Sequence, residues 1–333
     1  MMTVTNKDGA DAMTMTNAAY SAFDRCRVFC NGVQIEDIAF YGRNYYMLNK
    51  LGPKDHMDDL SVTAGKPGET INANASQTFS FPMWTGLLSQ HKALPMRYLN
   101  MSIELEVVSD STEFGDKDWE LSNVFLIADT MTLDTALQSS YAAHLLQEGK
   151  ELTIPFSGYM CSNYSVTDSD WQVNLSRSVS RMKAIFLTFK KYNEKKSISL
   201  QFPGTADNFE VQAQLGAKLF PETKMTSRAE MWPRLLAAAG NHTSVLATTA
   251  IDIGNNAYAA GEFIVGISTQ KVLSDTAETN LSGVSSKSGD QLTIRTSGVA
   301  SGPPAANYVN EAFVCIQFDN LLVISDEGVR NFN

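Results

Sequence analysis

The chain contains 333 residues, of which 44% are hydrophobic and 19% are charged. Soluble domains usually carry about 25% charged residues, so this composition fits a chain that buries surface against other subunits, or a β protein rich in Ser and Thr. The net charge of −10 argues against nucleic-acid binding, because that affinity comes chiefly from Lys and Arg contacting phosphates. The N-terminus lacks the basic and apolar regions of a signal peptide, and no apolar stretch approaches about 18 residues, so we expect neither secretion nor a membrane-spanning segment.

The four cysteines form neither a metal-binding spacing nor a disulfide framework. Cys26 and Cys30 lie four residues apart in a predicted strand, so their side chains share one face about 13 Å apart, which is too far for a disulfide. We expect them, together with Cys161 and Cys315, to be buried thiols, as suits a protein made in a reducing compartment.

The opening part of the chain reads mainly as strands. Weak β patterns occur at MMTVT (1–5) and AMTMT (12–16). The clearest pattern is RCRVFCNGVQIEDI (25–38), a hairpin whose Asn-Gly pair at 31–32 favours the two positive φ angles of a type I′ turn. Next, Tyr41, Tyr45 and Leu48 share a helical face that ends at Gly52-Pro53, and the polar residues 54–75 predict a loop.

A Pro-rich apolar segment, which we call the elbow (81–97), separates two further predicted strands at 77–81 and 102–108. An acidic loop follows, in which Asp110, Glu113, Asp116 and Asp118 could hold Ca²⁺, although a solvated loop tip is favoured because the D-x-D-x-D-G motif is absent. The run LSNVFLIADTMTL (121–133) has consecutive apolar residues, which predicts a strand covered on both faces.

A helix is predicted after this run and is the expected connector between two halves of the chain. Asp134 suits the N-cap of this helix. Leu137, Tyr141 and Leu145 repeat every fourth residue, and Gly149 suits the C-terminal end.

The second half contains eight predicted strands and one short helix. The helix lies in SRAEMWPRLLAAAG (227–240), where Ser227 and Glu230 form a capping box, although Pro233 favours a start nearer Trp232. The strands are expected at 152–156, 171–179, 181–189, 197–202, 209–215, 262–269, 291–296 and 312–325. Many strands separated by turn signals, without alternating βαβ units, predict an antiparallel sandwich or barrel.

Motifs for catalysis or cofactor binding are weak. AGKPGET (64–70) lacks the order of residues and the following helix of a phosphate-binding loop. The four histidines (56, 91, 144 and 242) are scattered and read as surface or loop residues, and no G-x-S-x-G elbow occurs. We therefore predict no catalytic, cofactor-binding or metal-binding residues, and no enzymatic activity.

The segment FSFPMWTGLLSQHKALPMRYLNMSIELEV (79–107) resembles the signature region of double jelly-roll major capsid proteins of eukaryotic dsDNA viruses. Within that group it resembles the Polinton-like and virophage-like lineages. Three further segments resemble the family and occur in the same order along the chain. The first is the nG-x-x-iEd hairpin with its Tyr-containing helix, and the second is the inter-barrel passage from residue 121. The third consists of strands of the second barrel, SRSVSRMKAIFLTF and FVCIQFDNLLVISDEGVR. These soft patterns span most of residues 22–330.

The resemblance implies an all-β fold of two antiparallel jelly-roll β-sandwiches in tandem, with a few short helices. The expected domains are a first jelly roll (1–133), a helical connector (134–149) and a second jelly roll (150–333). The family's opening strands lie upstream of the hairpin, whereas here only the residues before Arg25 precede it. Either those strands are compressed into the two weak β patterns, or the chain begins inside the first jelly roll.

The implied function is a structural one in the virion. Three copies would form a capsomer with a pseudo-sixfold outline that tiles an icosahedral shell. Its partners would be neighbouring capsomers and minor or penton capsid proteins, with no specific nucleic acid and no direct membrane insertion. A β-sandwich glycan-binding protein is the alternative, and a cupin-like metalloenzyme is a further one.

The elbow and the helix at 227–240 are the candidate subunit-interface or loop segments. Their large apolar residues could instead fill the end of a sandwich or line a small-molecule pocket. The candidate residues are Trp84, Leu87, Leu88, Pro95, Met96, Trp232 and Leu235.

Overall fold

A computed structural model describes the chain at residues 1–90, 93–145, 150–175, 178–204, 208–240, 249–251, 258, 261–270, 283–287, 290–301, 308–325 and 328–332. Within these residues the strands are β1 (Met2–Asn6), β2 (Met13–Thr14), β3 (Phe23–Cys30), β4 (Val33–Ala39), β5 (Thr70–Ile71), β6 (Ser76–Phe79), β7 (Met101–Val107), β8 (Trp119–Ser122), β9 (Leu152–Ser165), β10 (Trp171–Leu175), β11 (Met182–Lys191), β12 (Glu210–Leu215), β13 (Lys218–Met225), β14 (Val265–Ser268), β15 (Leu292–Ser297), β16 (Val309–Ser325) and β17 (Gly328–Phe332). The helices are α1 (Tyr41–Leu51), α2 (Lys54–Ala64), α3 (Thr135–Leu145) and α4 (Arg228–Ala238).

Antiparallel pairing dominates, as the sequence predicts. In the first half the sheet orders are β6-β1-β8, β2-β5 and β4-β3-β7. In the second half β14-β11-β16-β17 forms one sheet, with β9 also paired to β16, and β10-β15-β12-β13 forms the other. The two weak N-terminal β patterns are confirmed as β1 and β2. The predicted domain boundaries stay a prediction.

The hairpin of β3 and β4 is confirmed together with its turn. Asn31 and Gly32 have φ angles of 50° and 80°, the left-handed pair that a type I′ turn needs. The Asn31 side chain also fixes the approach of β7, because its Oδ1 accepts a hydrogen bond from the Asn100 backbone N–H at 2.8 Å. Local sequence therefore sets both the turn and the register of the neighbouring strand.

Several predicted elements are wrong in position or type. Residues 54–64, predicted as loop, form α2, which buries only Leu60 and Ala64 and so shows little apolar periodicity. Residues 197–202 form no strand; Leu200 makes one isolated bridge to Glu262. The strand predicted for 121–133 ends at Ser122, because Asn123 adopts a left-handed φ of 50° and the chain beyond is exposed.

Three strands were missed because they lie at sheet edges and are short or carry few apolar residues. These are β5, β13 and β17, which within the described residues pair only with β2, β12 and β16 respectively. In α4 the Ser227 half of the capping box is confirmed, since Ser227 Oγ accepts from the Glu230 N–H, whereas the Glu230 carboxylate pairs with Arg234. The helix begins at Arg228 in spite of Pro233. The Asp134 cap is confirmed by its bonds to the N–H groups of residues 136 and 137, whereas Gly149 lies outside the described residues.

The two halves share a buried polar junction as well as a continuous apolar core. The Glu113 carboxylate accepts the backbone N–H groups of Lys196 and Ser197 at 3.1 and 2.9 Å. The acidic loop is therefore not a solvated tip at Glu113, which is buried. Asn17 adds a hydrogen bond of 2.8 Å from its side-chain amide to the Ser197 carbonyl.

Arg43 on α1 is the cation of this junction and is only 3% exposed. Its guanidinium donates to the Lys196 carbonyl and, at 3.0 Å, to Thr188 Oγ1, and it lies 4.0 Å above the Phe313 ring. Burial lowers the pKa of Arg43 to about 9. The side chain thus stabilises the contact between the halves although its own desolvation is costly.

Arg43→Ala should lower the free energy of unfolding by about 2–4 kcal/mol, because it leaves a buried carbonyl and a buried hydroxyl without their charge-assisted donor. Urea denaturation followed by tryptophan fluorescence measures this. Arg27→Ala is the matched control: its ion pairs with Glu104 and Glu106 lie on the surface and should contribute less than about 1 kcal/mol. Equal losses in the two variants would contradict the role given to Arg43.

Candidate assembly surface

The elbow is held in place by a buried carboxylate. Glu36 on β4 accepts the backbone N–H groups of Gly86 at 2.8 Å and Leu87 at 2.9 Å. Burial of Glu36 outweighs these two hydrogen bonds and raises its pKa to about 7. Thr85 Oγ1 accepts the N–H of Leu88 at 3.1 Å, so the turn satisfies its own backbone donors locally.

The elbow also contacts the second half directly. A Cβ atom on Gly86 would lie 1.7 Å from the carbonyl oxygen of Ser157 on β9, so only glycine allows this approach. Trp84 packs its ring 4.7 Å from that of Tyr159 and 6.0 Å from that of Tyr41. The Pro-rich segment therefore lies where the two halves meet, and its aromatic residues pack within the chain.

The seven candidate residues fall into three environments. Leu87 and Leu235 are fully buried within the chain. Trp84, Leu88, Pro95 and Trp232 are half-buried, and Trp232 contacts the Tyr258 ring at 4.9 Å. Met96 is exposed, so it remains available for contact with another subunit. The interface role of these residues stays a prediction.

A large exposed apolar surface lies elsewhere, on residues 123–131, which we call the arm. Val124, Phe125, Leu126, Ile127 and Met131 are all exposed, between 47% and 72%. The arm has no assigned strand or helix, and α3, which follows it, is exposed over most of its length. An isolated helix of this length is marginal in water, so this region is stabilised poorly by its own chain.

An apolar groove of about 600 Å³ lies beside the arm. Val124–Ile127, residues 80–83, Met1 and Met2 line it. Ile103 and Leu105 of β7 and Phe23 of β3 also line it. The sequence predicts the arm as a strand covered on both faces, whereas the structure leaves its apolar side chains exposed.

Acidic side chains that could take part in metal binding instead accept hydrogen bonds within the fold. Within the described residues no group of three or more His, Cys, Asp or Glu could hold a metal ion. Asp110 accepts from Thr112, and Asp116 accepts the Thr14 N–H at 2.6 Å. His56 and His144 are exposed, as predicted, whereas His91 and His242 lie outside the described residues.

The four cysteines are free and buried, as predicted. Cys161 and Cys315 face each other across β9 and β16, with their sulfur atoms 2.8 Å apart. Burial raises the pKa of both Cys26 and Cys30, to about 12 and about 11, so their thiols are unreactive near neutral pH. No helix in the described part of the chain is long and apolar enough to cross a membrane.

Comparison with known proteins identifies the fold. No family model and no curated protein matches the sequence. The structure is similar to PBCV-1 VP54, as fitted into a reconstruction of the virophage Sputnik, with a TM-score of 0.66 at 10% identity over 99% of this chain and 87% of that one. It is also similar to a chain of the PBCV-1 virus capsid (TM-score 0.63, 10% identity, 99% and 88%) and to one of the Sputnik virophage (0.57, 8%, 99% and 80%). The chain has the double jelly-roll fold of these virus structures.

Glu36 should make the protein less stable as pH rises. Its pKa is about 7 in the folded chain against an ordinary value of 4.5, so the unfolded chain releases this proton first. The contribution of Glu36 to stability is therefore full below pH 4.5 and is lost as pH rises through 7, by about 3 kcal/mol. Glu36→Gln should flatten the pH dependence of the free energy of unfolding in this window.

The measurement is urea denaturation at half-unit steps from pH 4.5 to 8. Glu104→Gln, at an exposed position of β7, is the control and should keep the parent's pH dependence. If Glu36→Gln kept that dependence too, the carboxylate would not be a buried titrating group.

Proposed function

We propose that this protein is a major capsid protein of a virus and that its activity is assembly. The observation that most directly supports this proposal is the structural match of 99% of the chain to PBCV-1 VP54, at a TM-score of 0.66. The exposed apolar arm supports it, because apolar surface of this extent is typical of chains that associate. The low charged fraction of 19% agrees with a surface that is partly buried in an assembly.

The proposed unit is a trimer with a pseudo-sixfold outline. Two jelly rolls side by side in one chain, at 1–133 and 150–333, let three chains present six similar edges. Heterologous contacts around a threefold axis close such a ring. Because the two halves are joined by buried groups such as Arg43, each chain would enter the ring as one rigid block.

The proposed role requires no catalysis. The buried carboxylate of Glu36 accepts two backbone N–H groups of the elbow, so both of its oxygens already have a structural role. Proposed partners are neighbouring capsomers and minor or penton capsid proteins in the virion. The net charge of −10 favours contacts with protein over direct contacts with nucleic acid.

Light scattering after size-exclusion chromatography tests the trimer. The expected mass is about 110 kDa, three times 36.5 kDa, or a whole multiple of that value. Negative-stain electron microscopy should show particles with a near-hexagonal outline, and sheets or shells at high concentration. Dilution over a hundredfold range separates specific trimers from loose association.

A monodisperse monomer at all concentrations would contradict the proposal. A glycan array on that monomer would then test the alternative, a β-sandwich glycan-binding protein. A mass of two chains alone, with no threefold species, would also contradict a pseudo-hexameric capsomer.

A further inference from the structure

Two of the four cysteines are opposed in the register of the second-half sheet. Cys161 on β9 pairs directly with Cys315 on β16, and their sulfur atoms lie 2.8 Å apart. Directly opposed residues of antiparallel strands have Cα atoms about 4.5–5.5 Å apart, inside the range of roughly 4.4–6.8 Å that disulfides span. The sulfur atoms would need to approach by less than about 1 Å to reach the usual bond length of about 2.05 Å, so the backbone can stay where it is.

The register that opposes these two thiols is firmly set. β9 and β16 pair without a bulge from Leu152 opposite Ile324 to Ser165 opposite Glu311. A slip of one residue would turn every side chain of one strand to the other face of the sheet, and most side chains of β16 are buried. The whole strand pair therefore holds the two cysteines opposite each other.

The other two cysteines provide a contrast. Cys26 on β3 lies between Ile38 of β4 and Leu105 of β7. Cys30, at the end of the same strand, likewise has apolar cross-strand neighbours on both sides. Neither of them is opposed to a cysteine.

The thiol pair lies where the second half packs against the first. Residues two apart in a strand share a face of the sheet. Tyr159, two residues before the cysteine of β9, packs its ring 4.7 Å from that of Trp84 in the elbow. Phe313, two residues before the cysteine of β16, has the Arg43 guanidinium 4.0 Å above its ring. The two cysteines therefore share the face that contacts the first half, where they are 8% and 1% exposed.

We propose that Cys161 and Cys315 form a redox-modification site, at which a peroxide converts the two thiols into a disulfide that joins β9 to β16. A disulfide explains the pair better than a structural metal ion, because such a site needs about four ligands and the described residues place no third His, Cys, Asp or Glu beside the two thiols. The chemistry of the pair does not depend on the proposed function. Only its timing does: a capsid protein would keep both thiols reduced inside the host cell and form the bond after the particle leaves it.

The reaction balances with hydrogen peroxide as the oxidant. One cysteine, as its thiolate, attacks a peroxide oxygen: an S–O bond forms, the O–O bond breaks, and the departing hydroxide takes up the thiol proton and leaves as water. The other sulfur attacks the resulting sulfenic acid: the S–S bond forms, the S–O bond breaks, and a second water leaves with the second thiol proton. Two electrons pass from the sulfur atoms to the peroxide, and the products are one disulfide and two water molecules.

Burial makes this reaction slow and selective. It raises the pKa of Cys161 well above its ordinary value, so little thiolate is present near neutral pH. The small exposed fraction of the pair admits a peroxide more readily than a tripeptide such as glutathione. Once formed, the disulfide would be protected from reduced glutathione for as long as β9 and β16 stay paired.

The disulfide would stabilise the folded chain. It would close a loop from residue 161 to residue 315 and so restrict the unfolded state. The oxidised protein should therefore unfold at a temperature higher by about 5 °C than the reduced protein.

Thiol counting with peptide mapping tests the site. The full chain, purified in reductant and then freed of it, is incubated with hydrogen peroxide for several hours, treated with catalase, and denatured in the presence of N-ethylmaleimide. All four thiols should be labelled before oxidation and only Cys26 and Cys30 after it. Digestion without reductant should yield a linked peptide pair containing Cys161 and Cys315, and differential scanning fluorimetry should show the rise in unfolding temperature.

Matched variants separate the disulfide from general oxidation. Cys161→Ala should keep all of its remaining thiols after peroxide treatment and show no rise in unfolding temperature. Cys26→Ala removes another buried thiol, one without an opposed cysteine, so this variant should still form the disulfide and show the rise. The disulfide of the folded parent should resist reduced glutathione, and urea should remove that resistance.

The proposal fails if all four thiols of the parent remain free after peroxide treatment, or if the linked peptides contain Cys26 or Cys30 or join two chains. It also fails if Cys161→Ala shows the same rise in unfolding temperature as the parent, or if glutathione reduces the folded protein as fast as the protein in urea. Trimers whose thiols never pair would overturn this inference alone. A disulfide in a chain that remains a monomer would overturn the proposed capsomer alone.

Discussion

The close approach of the elbow to β9 is the constraint on which the arrangement of the two halves depends. Gly86 leaves no room for a Cβ atom next to the Ser157 carbonyl, and the N–H groups of Gly86 and Leu87 are then buried away from water. A buried donor without a partner costs roughly 1–3 kcal/mol, so the Glu36 carboxylate is needed where it lies. The apolar, Pro-punctuated sequence of the elbow follows from this position between two cores.

Those parts of the fold that depend on local chemistry could be predicted from the sequence. The Asn31-Gly32 turn, the N-cap at Ser227 and the alternating strand at 101–107 each carry a signal that neighbouring residues impose. The junction could not be predicted in this way. No local pattern marks Arg43, and Glu113 is expected in a solvated loop tip; only the packing of one half on the other reveals that both are buried.

The errors have two physical origins. In α2 and β13 the chain lies at the edge of the fold, so few of its side chains are buried and the apolar pattern is weak. In the arm the apolar pattern is strong, but the structure leaves the apolar side chains exposed. Here the sequence predicts cover on both faces, and the single chain provides almost none.

This second kind of error carries information. The apolar pattern of a segment reflects all the contacts that the segment makes in the functional protein. The structure of a single chain shows only the contacts that the segment makes within that chain. In α2 the exposed residues are polar apart from Val62, so pattern and structure largely agree that water lies there. In the arm they disagree over consecutive residues, and four of these residues line an apolar groove of about 600 Å³. Because exposed apolar surface of this extent is typical of chains that associate, the arm supports the proposed assembly role.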